Sequence, residues 1–203
     1  MTGVPADPTA PRAAVILAGG QGRRLGGRDK PALLVDGRPL LDVALAAVAG
    51  APIVVVGPPR ALPAGVLSAA EHPAGGGPAA GVAAGLAALP ELPDEAIVAV
   101  LAADLPGISA STVGRLSAAL GAQAPGGADT AGGAVLLDPG GRRQYLIGVW
   151  RYGALRASIE RRPSWHDAAL RDLLAPINVI EVPGSDREAA DIDTPTDLDR
   201  WQA

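Results

Sequence analysis

Lys30 is the only lysine in a chain of 203 residues whose other sixteen basic side chains are all arginine. It closes the stretch LAGGQGRRLGGRDKP, residues 17–31, in which an apolar run breaks into glycines and then into Arg23, Arg24, Arg28 and Lys30 against the single acid Asp29. Glycines let backbone N–H groups approach an anion closely, and a cationic patch on a chain of formal charge −4 fits a polyphosphate ligand. Lysine supplies a compact point charge where arginine offers a broad planar fork, which gives a crowded phosphate loop a reason to keep it.

Three phosphate-binding devices compete for this loop. Gly22 and Gly27 have the spacing of a P-loop, but Arg28-Asp29 follows them and Pro31 follows Lys30, so that pattern fails. A dinucleotide fingerprint needs a helix to begin inside the loop and an acid at the end of the next strand. Pro31 with the strand-like LLV opposes the helix, and IVVVG ends in glycine. A long helix-free loop wrapping a nucleoside triphosphate and closing on Lys30 is the reading that survives, while Arg23 and Arg28 read as ordinary solvated arginines.

A second chemical group lies in AVLAADLPGIS, residues 99–109. Asp104 stands at the carboxyl end of an apolar run, where an α/β sheet opens its ligand crevice, and magnesium is held by one or two carboxylates plus substrate phosphates. Ser109 and Ser111 are better placed than Asp104 to cap the helix that follows. At the end of the chain, Thr194-Pro195-Thr196-Asp197 reads as a capping box launching a helix.

These residues need a scaffold. AAVIL (13–17), IVVV (53–56), AIVAVLAA (96–103), AVLLD (134–138) and NVIEV (178–182) are short apolar runs bounded by Gly or Pro, and read as buried strands. Asp36-Gly37 within LLVDGRPL (33–40) signals a tight turn. Helical patterns occupy 39–49, with Pro39 at the first helical position, then 78–89, 109–120, 153–162 and 166–175. Alternation of strands and helices implies a Rossmann-like, mostly parallel sheet with helices on both faces, a three-layer α/β/α domain over residues 13–203. Residues 1–12 read as a disordered tail and 121–133 as a mobile surface excursion.

Composition narrows the function. With aromatics at 2% and no Phe, the core must be built from Ala, Val, Leu and Ile. The absence of Cys removes disulfides, thiolate metal sites and cysteine nucleophiles. The negative charge argues against nucleic acid as a partner. No apolar run reaches the roughly 20 residues of a membrane span, and residues 1–12 lack the regions of a signal peptide, so a cytoplasmic protein is expected.

LAGGQGRRLGGRDKP resembles the signature of the MobA-like nucleotidyltransferases, L-A-G-G-x-[S/A/G]-x-R-M-G-G-x-D-K, with Leu25 at the methionine position. The resemblance implies the nucleotide-diphospho-sugar transferase type of fold and transfer of GMP from GTP to a molybdopterin-type acceptor. It implies nucleotide contacts at Leu17, Ala18, Gly19 and Gly20, and phosphate contacts at Lys30 and Arg24. GGGPAAGVAAGL (75–86) resembles the segment that lies over the nucleotide, implying Gly77, Pro78 and Gly81, and Glu71 aligns with a nucleotide-touching aspartate. Asp104 matches the magnesium ligand of the family's C-D-x-P element. Asp191 and Asp193 stand at the two asparagine positions of its N-x-N-T-P ending, which makes Asp193 a second candidate for metal or substrate. QYLIGVWRYGAL (144–155) is expected to line the acceptor pocket, with Arg143 or Arg151 meeting a phosphate. The alternatives are a relative using CTP or another acceptor phosphate, a non-catalytic nucleotide-binding homologue, and an NAD-binding oxidoreductase.

Overall fold

A computed structural model describes residues 10–20, 25–123 and 130–202. Its centre is β1 (Ala13–Leu17), the AAVIL run, flanked in parallel by β4 (Ile53–Val56) and β6 (Ile97–Ala102). Val15 stands opposite Val54 on one side and Val100 on the other. Side chains alternate across a strand, and β1 divides accordingly. Ala14 and Ile16 enter a core on one face, and Ala13 and Val15 a core on the other. A strand covered on both faces has no polar side to show, which is why these runs read as continuous apolar stretches.

The sheet has seven strands in the order β5-β4-β1-β6-β8-β7-β9, with β5 (Leu67–Ala69) and β9 (Val179–Pro183) at its edges and β7 (Gly133–Leu137) next to β9. Every pairing is parallel except those of β8 (Arg143–Arg151), which runs antiparallel between β6 and β7. Helices α1 (Leu40–Ala47) and α3 (Ala110–Gly121) cover one face. The other is covered by α2 (Gly77–Ala88), α4 (Tyr152–Glu160) and α5 (Leu170–Leu174). The result is the three-layer α/β/α arrangement the alternation implied. Fully buried leucines such as Leu116, Leu120, Leu155 and Leu173 stabilise it by about 1.5–3 kcal/mol each.

Small residues set the layer spacing. A Cβ on Gly85 of α2 would lie 2.3 Å from a Val15 methyl, so glycine lets the helix sit directly on β1. Gly133 does the same for Trp150, whose ring would lie 2.4 Å from a Cβ there and which is fully buried.

The structure departs from the sequence reading at several elements. Residues 144–155, expected to line the acceptor pocket, form most of a central strand followed by a helix, with the strand starting beside the carboxyl end of β6; the polar start of RQYLIGVWR with Gly148 hid its strand character. Pro39 is the N-cap of α1 rather than its first residue, because it still pairs with Leu34 in a short hairpin of β2 (Leu34–Val35) and β3 (Arg38–Pro39). That hairpin turns through Asp36 and Gly37 at φ 51° and 73°, as Asp-Gly implied. The fifth helical pattern yields only Leu170–Leu174, since Asp167 takes a left-handed φ of 55° and donates its N–H to Gly76. Of the expected tail, residues 1–9 lie outside the described residues, whereas the Arg12 N–H already joins the sheet at the Ile97 carbonyl. Within the expected surface excursion, 124–129 also lie outside them. Among the described residues, no helix is long and apolar enough to cross a membrane.

Candidate active site

Strand order reverses at β1: β4 and β5 lie to one side of it and β6 to the other, so the carboxyl ends of β1 and β6 form the crevice where such sheets bind ligands. Both chemical groups singled out in the sequence emerge there. Ala18 is still held by the Val56 carbonyl at 2.7 Å, after which Gly19 and Gly20 are exposed and Gly20 turns with φ 123°. The Ala103 N–H donates to Leu17, and Asp104 follows immediately. Gln21, Gly22, Arg23 and Arg24 lie outside the described residues, so the expected Arg24 contact has no structural counterpart here.

The loop returns through Leu25, which is buried with Val35, Leu40, Ile192 and Leu198 in a small separate cluster. This cluster ties Leu25 and the hairpin β2–β3 to the helix Pro195–Gln202, and so brings the last described segment beside the returning end of the loop. Lys30 opens a single 3-10 turn, Lys30–Ala32, anchored by buried Pro31. Its Nζ lies 3.4 Å from Asp104 and also pairs with Asp193. Residues 30, 104 and 193, far apart in sequence, thus meet at one point.

The approach of the last segment follows from its backbone. The Ile192 N–H donates to the Asp104 carbonyl at 3.1 Å, and the Ile192 side chain is fully buried. Its neighbours Asp191 and Asp193 each bring a carboxylate oxygen that, with one of Asp104, lies within 4.8 Å of the others. The Thr194/Asp197 capping box fixes this turn, with the Asp197 carboxylate accepting from the Asp193 and Thr194 N–H groups. Asp191 is the residue the sequence reading left without a metal role, although its place beside Asp193 in D-I-D-T-P marked it.

The electrostatics follow from the crowding. Burial, then the charges of Asp193 and Asp104, raise the Asp191 pKa above the ordinary carboxylate value. Burial works against the Lys30 ammonium, but its hydrogen bond to Asp193 and the charge of Asp104 outweigh that and raise its pKa. Three carboxylates and one ammonium leave negative charge unbalanced, and the donor set is all oxygen. Both features fit a hard divalent cation such as magnesium.

The other expected residues distribute as follows. Glu71 accepts from the Gly75 N–H at 3.2 Å, on the exposed loop leading into α2. Gly77, at φ 85°, and Pro78 form the first turn of that helix. Gly81 is buried on the sheet side, where a Cβ would come 3.1 Å from Leu17, so packing accounts for a glycine there. The two arginines expected near an acceptor phosphate stand at opposite ends of β8, Arg143 on the carboxyl side of β6 and Arg151 on its amino side. Arg151 donates to the carbonyls of Leu120, Gln123 and Ala131 beyond the amino end of β6, and Arg143 pairs with Glu181 at 2.7 Å. Arg60, which the sequence reading passed over, contacts the glycine loop at both ends through Ala18 and Asp29. Its signal was an arginine just past the carboxyl end of a buried strand, in IVVVGPPR.

Comparison with known proteins identifies the family and the fold. A family model described as the MobA-like NTP transferase domain matches residues 14–182, which includes Lys30 and Asp104 and stops short of Asp191 and Asp193. Over 46 residues the chain is 59% identical to a molybdenum cofactor guanylyltransferase of Acidiphilium cryptum, a stretch covering 22% of this chain and 24% of that relative. Two solved structures share the fold. Molybdopterin-guanine dinucleotide biosynthesis protein A from Archaeoglobus fulgidus has a TM-score of 0.69 at 20% identity, over 94% of this chain and 96% of that one. The 2-C-methyl-D-erythritol 4-phosphate cytidylyltransferase of Francisella tularensis has a TM-score of 0.67 at 17% identity, over 96% and 100%.

Proposed function

The chain belongs to the MobA-like NTP transferase family and is a nucleotidyltransferase, and from that premise we propose that it transfers GMP from GTP to a molybdopterin-type acceptor with magnesium, in the cytoplasm. Residues 13–203 act as one catalytic domain. The observation that carries the reading is the meeting of Lys30 with Asp104, Asp191 and Asp193 at the mouth of the glycine loop.

In the reaction, a phosphate oxygen of the acceptor attacks the α-phosphorus of GTP, the bond to the β-phosphate oxygen breaks, and pyrophosphate leaves. No protein nucleophile is needed, in keeping with a chain that has no cysteine. Catalysis is positioning and charge neutralisation. Gly19 and Gly20 present backbone to the nucleotide past the end of β1, with Ala18 held behind them by Val56 and Arg60, and the first turn of α2 offers N–H groups from the facing loop. Lys30 holds its ammonium where charge builds on the departing phosphates. Asp104, with Asp191 and Asp193, would hold magnesium, which when bound supplies further neutralisation of the phosphates.

The Francisella relative is named for a cytidylyl transfer, so the fold accommodates either base, and Ala18-Gly19-Gly20 tilts this chain towards guanine. The test is pyrophosphate release with GTP or CTP, magnesium and a molybdopterin acceptor. Acceptor-dependent release from GTP is expected. Release from CTP in preference to GTP overturns the choice of base, and no release from either overturns the activity.

A further inference from the structure

Arg60 lies on the turn that leaves β4, outside every motif that pointed to the site. Its Nη2 donates to the Ala18 carbonyl at 2.9 Å, and its Nη1 meets the Asp29 carboxylate at 3.2 Å. A single guanidinium therefore spans the loop from its first residue past β1 to the residue before Lys30. The Arg60 side chain is only 12% exposed, an expensive place for a charge that is not paired. Its Nε–H is buried and finds no acceptor among the described residues.

The backbone around it is shaped for this contact. Gly57 has φ 152°, and a Cβ there would lie 2.8 Å from the Ala18 carbonyl carbon and oxygen and 2.9 Å from the Gly19 nitrogen. The turn after β4 is thus laid directly against the Ala18–Gly19 peptide, and Arg60 folds back over it. A planar fork addresses the carbonyl and the carboxylate from two separate nitrogens, whereas a lysine here would have to bring a single nitrogen within reach of both.

Resting on the nucleotidyltransferase reading, we infer that Arg60 is the positioning residue of the nucleotide loop. It clamps Ala18 to Asp29 and, through Asp29, sets Lys30 against Asp104 and Asp193. The nucleotide then meets a loop whose ends are already fixed, and little of its binding energy is spent on ordering them. Arg60 acts through Lys30 and not on the reacting atoms.

The test is a set of variants, Arg60→Met, Arg60→Lys and Asp29→Asn, each made in the natural chain and in a Lys30→Ala background. GTP affinity with magnesium is read by calorimetry, alongside melting temperature without nucleotide. Arg60→Met is expected to weaken GTP binding about 10–100-fold in the natural background and less than about threefold beside Lys30→Ala, with Arg60→Lys restoring little. Equal losses in both backgrounds would make Arg60 plain scaffold and overturn the inference, as would unchanged affinity in Arg60→Met or full rescue by Arg60→Lys. If Arg60→Met does not fold, Asp29→Asn removes one arm of the clamp and makes the same comparison. Absence of GTP binding by the natural chain overturns the functional reading and this inference together, whereas GTP binding by the natural chain that Arg60→Met leaves intact overturns this inference alone.

Discussion

Lys30 occupies the place where a divalent cation would be held, and removing it has a consequence opposite to its effect on catalysis. In Lys30→Met the three carboxylates within 4.8 Å of one another lose their ammonium partner. At 3.4 Å and an effective dielectric near 20, the attraction of Lys30 to Asp104 alone is roughly 5 kcal/mol. The carboxylates of Asp104 and Asp193 are 24% and 40% exposed, and solvent reduces that figure to a net of about 1–2 kcal/mol. Nucleotide-free Lys30→Met should therefore bind manganese or magnesium about 5–30-fold more tightly than the natural chain, while turnover collapses. Calorimetric titration of the metal into nucleotide-free protein measures this directly. Unchanged or weaker metal binding would show that Lys30 does not compete for the site. In the natural chain, nucleotide phosphates that draw Lys30 away should tighten metal binding, and by linkage metal should tighten nucleotide binding by the same factor.

Three further expectations follow from the same geometry. Asp104→Asn should reduce the rate of pyrophosphate release by on the order of 10²–10³ with little change in melting temperature, and an unimpaired variant would remove Asp104 from the metal set. Gly57→Ala should weaken nucleotide binding at least tenfold, because its Cβ would meet the Ala18 backbone at 2.8 Å and displace the start of the loop; calorimetry with GTP reads the loss. Burial alone would push the Glu188 carboxyl up, but hydrogen bonds from Thr112, Ser185 and Arg115 lower its pKa from 4.5 to about 2. A depressed acid stabilises the fold above its unfolded pKa and loses that contribution as pH falls through the folded value. After allowance for solvent screening, Glu188→Gln should cost about 1–2 kcal/mol at pH 7 in urea unfolding, and the gap to the natural chain should close between about pH 4.5 and pH 2.

The central strands were legible because burial on both faces writes them as unbroken β-branched runs: AAVIL, IVVV and IVAVLA needed no tertiary information. Lys30 and Asp104 were legible too, one as the end of a cationic glycine loop and the other by its place past a strand's carboxyl end. β8 was not, since its opening Arg143-Gln144 looks like loop and its partners β6 and β7 lie in other parts of the chain. Arg143 opens that strand at the crevice end of the sheet, paired with Glu181, and Arg151 closes it at the far end on backbone carbonyls. The positions of Asp191 and Arg60 depend on encounters over long sequence separations, the bond from Ile192 to Asp104 in one case and from Arg60 to Ala18 in the other. The local cues, D-I-D-T-P for Asp191 and an arginine just past a strand end for Arg60, name candidates but not the partners they meet.

Thermal unfolding of the natural chain with GTP, CTP, ATP and UTP, each with and without magnesium, goes to the centre of the matter. At a hundredfold excess over its dissociation constant a ligand stabilises the folded state by about 2.7 kcal/mol, which for a domain of this size raises the melting temperature by roughly 5–11 °C. GTP with magnesium should give that shift and exceed the other three nucleotides. A larger shift with CTP would contradict guanine selection, and no shift with any of the four would contradict a nucleotide site at the mouth of the glycine loop.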